Sequence, residues 1–370
     1  MAESNKDIKI AVVGCGNWGK NLIRVLHKMG NLHSICDKSI ERAKEFSQTF
    51  EVPHLSFDEI IKDQTISGVL VASPSATHYE YTRRCLIAGK NTFVEKPLAL
   101  AIDNACELYK LAKENDCILM VGHLLQYHLA FNALKQLNNN GTLGKLQYIC
   151  SNRLNLGKFR TEENIWWDYA PHDVSMILSL TKEMPEHVSA MGSNFLEHTV
   201  ADITSTHLNF PSGVQAHIFV SWLHPFKEQK LVVVGEKAMA IFDDCADWSE
   251  KLKLYPYPVE WIDGQPQPCD PKPQTIALSP QEPLLNECQH FVDCIAKHKT
   301  PITDAYEGLQ VMRILNAAIQ SIETHQTVKL APEPPTHDQN DKLHDSIREH
   351  VNKALEGLEH PFAKSAAPID

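Results

Sequence analysis

The sequence lacks several features that would place the protein in other classes. No run of 18 apolar residues occurs, so we expect no segment that spans a membrane. The N-terminal residues MAESNKDIKI contain neither the apolar stretch nor the cleavage site of a signal peptide. Positive charge is scarce: 35 Lys and Arg against 46 Asp and Glu give a formal net charge of −11, which argues against nucleic acid as the main partner.

Clustered cysteines are also missing. The ten cysteines are scattered along the chain, with neither C-x-x-C spacing nor the ligand spacing of a zinc site. We therefore expect reduced thiols, no metal site and a cytoplasmic protein.

What is present is the composition of a folded globular protein. The chain has 370 residues, of which 43% are hydrophobic and 22% are charged. At about 150 residues per domain, this length predicts two domains with a short appendage.

The first 40 residues have the pattern of a dinucleotide-binding unit. The apolar run Ile8–Val13 predicts a buried strand, and a helical pattern of Leu22, Val25, Leu26 and Met29 ends at Gly30. The strand leads directly into Gly14-Cys15-Gly16-Asn17-Trp18-Gly19, and a second strand ends at Asp37, 23 residues after Gly14. Strand, glycines, helix, strand and acid therefore occur in the order that this unit requires.

Each glycine of the motif has a mechanical role. Gly14 permits the tight turn, Gly16 lets the backbone approach a pyrophosphate, and Gly19 lets the helix pack closely on the strand. The pyrophosphate would lie on the free N–H groups at the helix N-terminus, where the helix dipole favours an anion.

Asp37 decides the expected cofactor. Its carboxylate can accept hydrogen bonds from the adenosine ribose and would repel a 2′-phosphate, so NAD is favoured over NADP. Lys38 and Arg42 lie close in sequence and could instead offer a cationic side to that phosphate.

Strands and helices continue to alternate up to residue 121, which predicts an α/β domain with a parallel sheet. Ligands in such sheets bind beyond the carboxyl ends of the strands. Three loops would line that crevice, namely Ser73-Pro74-Ser75-Ala76-Thr77-His78, Glu95-Lys96-Pro97 and Gly122-His123.

From about residue 146 the pattern changes to strict alternation, as in Val214–Trp222, which predicts a mostly antiparallel sheet. Helices should cover one face of this sheet, and the other face would form a subunit interface. We therefore predict a Rossmann domain at residues 1–123, an α+β substrate-binding and oligomerisation domain at 124–332, and a polar tail at 333–370.

The tail contains a single amphipathic stripe, formed by Leu343, Ile347, Val351, Leu355 and Leu358. A helix here would pack either on its own domain or on a neighbouring subunit, and the sequence does not choose between them.

A dinucleotide domain joined to a separate sheet domain predicts hydride transfer, which needs a base close to the substrate hydroxyl. One candidate is Lys96, because a lysine beside the positively charged nicotinamide ring releases its proton more easily. The other is His172, which lies four residues after Asp168, so the carboxylate and the imidazole share one face of a helix.

Three cations precede the segment that contains Asp168 and His172. They are Arg153, Lys158 and Arg160, with no acid among them. A positive patch on an acidic chain suits an anionic substrate such as a nucleotide diphosphate, and a solvated loop explains it equally well.

These motifs together resemble the Gfo/Idh/MocA oxidoreductases, over roughly residues 6–325. The resemblance implies a Rossmann domain followed by an α+β domain whose open sheet forms homodimers or homotetramers. It also implies that Lys96 is the catalytic lysine, that His172 is the acid/base with Asp168 beside it, and that the Lys96–Pro97 bond is cis. The expected cofactor-binding residues are Gly14, Gly16, Asn17, Trp18, Gly19, Asp37, Ser73, Thr77, His78, Glu95 and Lys96.

Within the family, the segments 121–128, 153–160 and 222–226 are similar to the branch that oxidises the sugar 3-hydroxyl of UDP-N-acetylhexosamines. This similarity implies UDP-N-acetylglucosamine as substrate and an aminotransferase that uses the 3-keto product in amino-sugar, lipid A or surface glycan synthesis. The expected substrate-binding residues are His123, Arg153, Lys158, Arg160, Trp166 and Trp167.

Three alternatives stay open. They are oxidation of the corresponding UDP-N-acetylglucosaminuronate, oxidation of a free polyol or sugar such as inositol, and a non-catalytic NAD-sensing module.

Overall fold

The computed structural model describes residues 5–157, 159, 164–196, 200–256, 259–268, 272–331 and 345–356. The chain divides into two compact units. The first consists of residues 5–127 and 282–316, and the second of the described residues within 128–281, 317–331 and 345–356.

The first unit is built on a five-stranded parallel sheet in the order β2-β1-β3-β4-β5. The four residues of β1, of β3 and of β5 are all buried, as expected for a sheet with both faces covered. The elements are β1 (Ile10–Val13), α1 (Gly19–Met29), β2 (Leu32–Cys36), α2 (Ile40–Phe50), α3 (Phe57–Lys62), β3 (Gly68–Val71), α4 (His78–Ile87), β4 (Asn91–Glu95), α5 (Ile102–Glu114) and β5 (Leu119–Gly122). The predicted Rossmann architecture is confirmed.

The second unit is built on a nine-stranded sheet in the order β15-β12-β11-β10-β6-β9-β8-β7-β16. All its pairings are antiparallel except β6–β9, so the predicted mostly antiparallel sheet is confirmed. The elements are α6 (Leu129–Asn139), β6 (Leu146–Leu156), α7 (Ile165–Thr181), β7 (His187–Ser193), β8 (Ile203–Asn209), β9 (Gln215–Ser221), β10 (Leu223–Gly235), β11 (Ala238–Asp243), β12 (Leu252–Pro256), the hairpin β13 (Val259–Ile262) with β14 (Gln265–Pro268), β15 (Gln274–Thr275) and β16 (Val328–Lys329).

Helices pack on this sheet as the alternating pattern predicts. Helix α7 contacts β6, β8 and β9, and α6 contacts β11 and β12. Along β9 the buried residues Ala216, Ile218 and Val220 alternate with more exposed ones, which is the signature of a sheet with one covered face.

Helix α8 (Pro283–Lys297) belongs to the first unit, although the sequence placed it in the second domain. Its Phe291 ring lies 5.9 Å from that of Phe93 on β4, and Ile295 lies against Gly68 of β3. The chain thus returns to cover the parallel sheet. Helix α9 (Ala305–Thr324) follows, and its residues as far as Asn316 also belong to the first unit.

The tail helix α10 (Asp345–Leu355) packs on α6 of its own unit. Ile347 and Val351 of the predicted stripe are fully buried, and Gln136 donates a hydrogen bond to Asn352. Leu343 and Leu358 lie outside the described residues. Of the two placements that the sequence left open, the structure shows the one on the helix's own domain.

Within the described part of the chain, no helix is both long and apolar enough to cross a membrane.

Candidate active site

The glycine turn after β1 has the geometry that its sequence predicts. Gly14 has a φ of +103°, and a Cβ there would lie 2.6 Å from the Ala72 carbonyl oxygen. A Cβ on Gly19 would lie 1.9 Å from the Gly14 carbonyl oxygen. A Cβ on Gly16, by contrast, would meet no described atom within 4 Å. The backbone therefore packs tightly at Gly14 and Gly19, whereas the space beside the Cα of Gly16 is open.

The N-terminus of α1 suits an anion. Trp18 occupies the N-cap position without a side-chain hydrogen bond to the described backbone, and the first turn contains no acidic residue. The helix dipole therefore favours an anion such as a pyrophosphate beside the open side of Gly16. The turn fits a dinucleotide.

Asp37 follows β2 and is held by the backbone. Its Oδ2 accepts the Cys15 N–H at 2.7 Å, and its Oδ1 accepts the Ser39 N–H at 2.8 Å. Arg42 Nη1 lies 3.6 Å from Oδ2. The carboxylate is thus fixed next to the glycine turn, and the Arg42 charge is directed at it.

We expect the wild-type protein to bind NAD at least about tenfold more tightly than NADP, because the fixed Asp37 charge repels a 2′-phosphate. Asp37→Asn removes the charge, and its amide nitrogen cannot accept one of the two backbone N–H groups, so the variant should reduce this preference by about tenfold. Dissociation constants of both cofactors measure the effect. Asp103→Asn, at an exposed acid of the same unit, is the matched control. Tighter binding of NADP by the wild-type protein would contradict the assignment.

The loop after β3 is tied to the Lys96–Pro97 turn by His78. The buried His78 ring places Nδ1 2.8 Å from the Pro97 carbonyl oxygen and Nε2 2.8 Å from the Ser73 carbonyl oxygen. Thr77 donates a hydrogen bond to the Ser73 hydroxyl at 2.8 Å. His78 therefore positions the two loops relative to each other, in addition to any contact with the cofactor.

Lys96 follows β4 at the carboxyl edge of the parallel sheet, where it is half-buried. The Lys96–Pro97 peptide bond is cis, as the family resemblance implies.

Glu95 connects β4 to the glycine turn. Trp18 Nε1 donates a hydrogen bond to its Oε1 at 2.5 Å, and a Cβ on Gly122 would lie 2.8 Å from its Oε2. Desolvation raises the pKa of Glu95 to about 7, against the opposing effects of the Trp18 hydrogen bond and the Lys96 charge. The carboxyl group therefore gains or loses its proton near neutral pH.

His123 lies just beyond β5 and is buried. Its Nδ1 is 2.7 Å from Oε2 of Glu307 on α9, which orients the ring. The sequence predicted a role for His123 in binding but gave no signal for Glu307, which is 184 residues away.

Asp168 and His172 lie on α7 of the second unit. Asn164 caps this helix by accepting the Trp167 N–H at 3.0 Å, so Asp168 is in the first turn, where the helix dipole stabilises a carboxylate. His172 is one turn further on the same face, and both side chains are half-buried. The predicted pair therefore shares a face.

The residues predicted to bind substrate differ in burial and in hydrogen bonding. Arg153 is buried and donates to both oxygens of Asp173, from Nε at 2.7 Å and from Nη2 at 3.1 Å, so its charge is balanced inside the unit. Trp166 is fully buried, which favours a packing role over the substrate contact expected from the sequence, and Trp167 is half-buried. Lys158 and Arg160 lie outside the described residues.

The described residues contain no group of three or more His, Cys, Asp or Glu side chains arranged to hold a metal ion. The nine cysteines within the described ranges are free thiols, and Cys269 lies outside those ranges.

Comparison with known proteins supports this description. Residues 8–123 match the model of the oxidoreductase family with an NAD-binding Rossmann fold, and residues 131–241 match the GFO/IDH/MocA C-terminal domain. The chain therefore belongs to the Gfo/Idh/MocA family of oxidoreductases, and its N-terminal domain is an NAD-binding Rossmann domain.

Several curated relatives match most of the chain, including dehydrogenases with a stated activity on a sugar or a polyol. UDP-N-acetylglucosamine 3-dehydrogenase of Acidithiobacillus ferrooxidans is 24% identical over 85% of this chain and 96% of the relative. Myo-inositol 2-dehydrogenase of Thermotoga maritima is 25% identical over 87% of this chain and 98% of the relative. A solved structure of the Acidithiobacillus enzyme covers 86% of this chain and 98% of its own, with a TM-score of 0.75 at 23% identity, which confirms the shared fold.

Proposed function

We propose that the protein oxidises the 3-hydroxyl of a UDP-N-acetylhexosamine with NAD, and that UDP-N-acetylglucosamine is the substrate. The observation that carries this proposal is the match to a UDP-N-acetylglucosamine 3-dehydrogenase over nearly the full length of that relative. The glycine turn, Asp37 and the Lys96 loop supply the cofactor half of the reaction. The pair Asp168 and His172 supplies the proton-transfer half.

Each residue has a role that its surroundings support. His172 accepts the hydroxyl proton, and Asp168 stabilises the imidazolium that forms. Lys96 polarises the hydroxyl oxygen or shares its proton. NAD, when bound, supplies the hydride acceptor. His78 and the short backbone contacts of Asp37 keep the cofactor-binding loops in place.

The proposal extends to partners. The 3-keto product is a substrate for an aminotransferase in amino-sugar, lipid A or surface glycan synthesis. The sheet face opposite α6 and α7 would join copies of the chain into a homodimer or homotetramer. A cytoplasmic location fits a reaction on nucleotide sugars.

Oxidation of a free polyol is the second candidate, because the myo-inositol 2-dehydrogenase is as similar to this chain as the UDP-sugar enzyme. The pairing of Arg153 with Asp173 also removes one cation from the patch expected to bind a diphosphate. A non-catalytic NAD sensor is less well supported, since a sensor has no need of Lys96, Asp168 and His172 together.

NADH absorbance tests the proposal directly. We expect NADH to form from NAD and UDP-N-acetylglucosamine, with a glutamate-dependent sugar 3-aminotransferase added to remove the keto product. UDP should inhibit this reaction by competition. NADH formation from myo-inositol, without inhibition by UDP, would instead establish the polyol reaction. Formation from UDP-N-acetylglucosaminuronate alone would keep the reaction and change the sugar.

A further inference from the structure

A buried and a half-buried carboxyl group lie close together in the first unit, on Glu287 and Glu95. On α8, the residues Glu287, Phe291 and Ile295 are spaced by four and share a face of the helix. Ile295 packs against Gly68, which pairs with the first residue of β4, and Phe291 packs against Phe93 in the middle of that strand. The helix and the strand therefore run in opposite directions along this contact.

On both elements, the next residue of the contact face is an acid. Glu95 is two residues beyond Phe93 and so projects to the same side of the sheet, about 7 Å further along the strand. Glu287 is one turn before Phe291, about 6 Å further along the helix in the same direction. The register thus brings Glu287 next to Glu95.

Glu287 is fully buried, and neither of its carboxyl oxygens has a hydrogen-bond partner among the residues that the structure describes. Desolvation, followed by the charge of Glu95, raises the pKa of Glu287 well above its ordinary value. A buried carboxylate without partners is very costly, so this group keeps its proton at neutral pH.

Glu95 is placed to sense the cofactor. Asp37, after β2, lies on one side of β1 and directs the adenosine towards that side. The other half of a dinucleotide therefore extends towards β4, where Glu95 bonds to Trp18 of the glycine turn. A positively charged nicotinamide ring there favours the ionised form of Glu95, and a reduced, neutral ring does not.

We propose that Glu95 is a proton switch for the charge of the cofactor: it is ionised when NAD⁺ is bound and free to hold a proton when NADH is bound, while Glu287 stays neutral beside it. This inference rests on the proposed placement of the nicotinamide. It requires that Glu287 be neutral, because a second negative charge behind Glu95 would change the pH at which the switch operates.

Burial excludes two of the surrounding groups as alternative switches, and the variant Glu95→Gln separates the remaining one, Lys96, from Glu95. Among the described residues, the titratable groups that interact with the pair include Lys96 after β4, Tyr127 in the short helix Leu124–Tyr127, and Cys288 on α8. Arg24 on α1, which pairs with Glu282, interacts with Cys288. Glu307 interacts with Tyr127 from α9. Burial raises the pKa values of Tyr127 and Cys288 further above neutrality, so both remain uncharged between pH 6 and 8.

The sign of the pH dependence follows from linkage. Below about pH 7, NAD⁺ must displace a proton from Glu95, so its dissociation constant rises by up to about tenfold per pH unit as the pH falls. Above about pH 8, Glu95 is already ionised and the dissociation constant levels off. Binding of NADH should change by less than about threefold over the same range.

Calorimetric titration of the full chain with NAD⁺ and with NADH tests this, between about pH 6 and about pH 8 and in buffers of different ionisation enthalpy. We expect proton release on binding of NAD⁺ and little or none with NADH. Glu95→Gln should flatten the NAD⁺ curve and abolish the proton release. Glu287→Gln replaces a neutral acid by a neutral amide, so the midpoint of the NAD⁺ curve should stay within about half a pH unit. Glu80→Gln, at an exposed acid of α4 in the same unit, is the matched control.

Three results would overturn the inference. Equal pH dependence for NAD⁺ and NADH would show that Glu95 does not respond to the ring charge. A shift of more than one pH unit in Glu287→Gln would show that Glu287 is ionised. Absence of NAD⁺ binding at every pH would overturn the proposed cofactor site as well, which separates the two failures. Glu95→Gln decides the main point even if Glu287→Gln does not fold.

Discussion

Lys96→Ala is expected to lower kcat by about 10²- to 10⁴-fold, the range typical of losing a residue that moves or polarises a proton in the transition state. The affinity for NAD should change by less than about threefold, because the glycine turn and Asp37 hold the adenosine and pyrophosphate ends without Lys96. Lys96 precedes Pro97 in the loop that His78 holds through the Pro97 carbonyl oxygen, so the backbone at this position is well placed.

Turnover with the substrate identified above, together with titration of NAD, measures both quantities. Lys110→Ala, at an exposed lysine of α5, provides the control for loss of a positive charge in the same unit. Turnover of Lys96→Ala close to the wild-type value would remove Lys96 from the mechanism. Loss of NAD binding in that variant would instead give Lys96 a role in holding the cofactor.

The second large effect is expected at Gly19, where alanine would place its Cβ 1.9 Å from the Gly14 carbonyl oxygen. The Gly14 oxygen is a backbone atom and a Cβ is attached rigidly to the Gly19 backbone, so the turn itself must move. We expect Gly19→Ala to destabilise the protein by about 3 kcal/mol or more and to weaken NAD binding by at least about 100-fold.

Gly16→Ala separates cofactor binding from stability. A Cβ at Gly16 meets no described atom within 4 Å, and its φ is not in the left-handed region, so stability should stay within about 1 kcal/mol of the wild type. The same Cβ would occupy the side that the pyrophosphate approaches, so NAD affinity should fall by at least about tenfold. Thermal unfolding measures the stability of Gly16→Ala and Gly19→Ala, and NAD titration measures their affinity for the cofactor. Wild-type NAD affinity in Gly16→Ala would show that the pyrophosphate does not approach this turn.

Much of the first unit could be predicted from the sequence because its signals are local. A buried strand, a glycine turn and an amphipathic helix are each encoded within about 20 residues. The same holds for the spacing of Asp168 and His172, since residues four positions apart on a helix share a face. The alternation in Val214–Trp222 similarly predicted a sheet with one covered face, and the structure has it.

Contacts between distant parts of the chain were decided only by the tertiary structure. Glu307 reaches His123 across 184 residues, and Glu287 meets Glu95 because α8 returns to the parallel sheet. Neither partner has a local pattern that marks it: an acid on an amphipathic helix is normally solvated, and only packing shows that it is buried. Arg153 shows the same limit, because Asp173 balances a charge that the sequence assigned to substrate. Local patterns therefore determined the elements and the cofactor turn. Long-range packing determined which charges are buried, paired or protonated, because desolvation and charge pairing depend on neighbours that the sequence does not place.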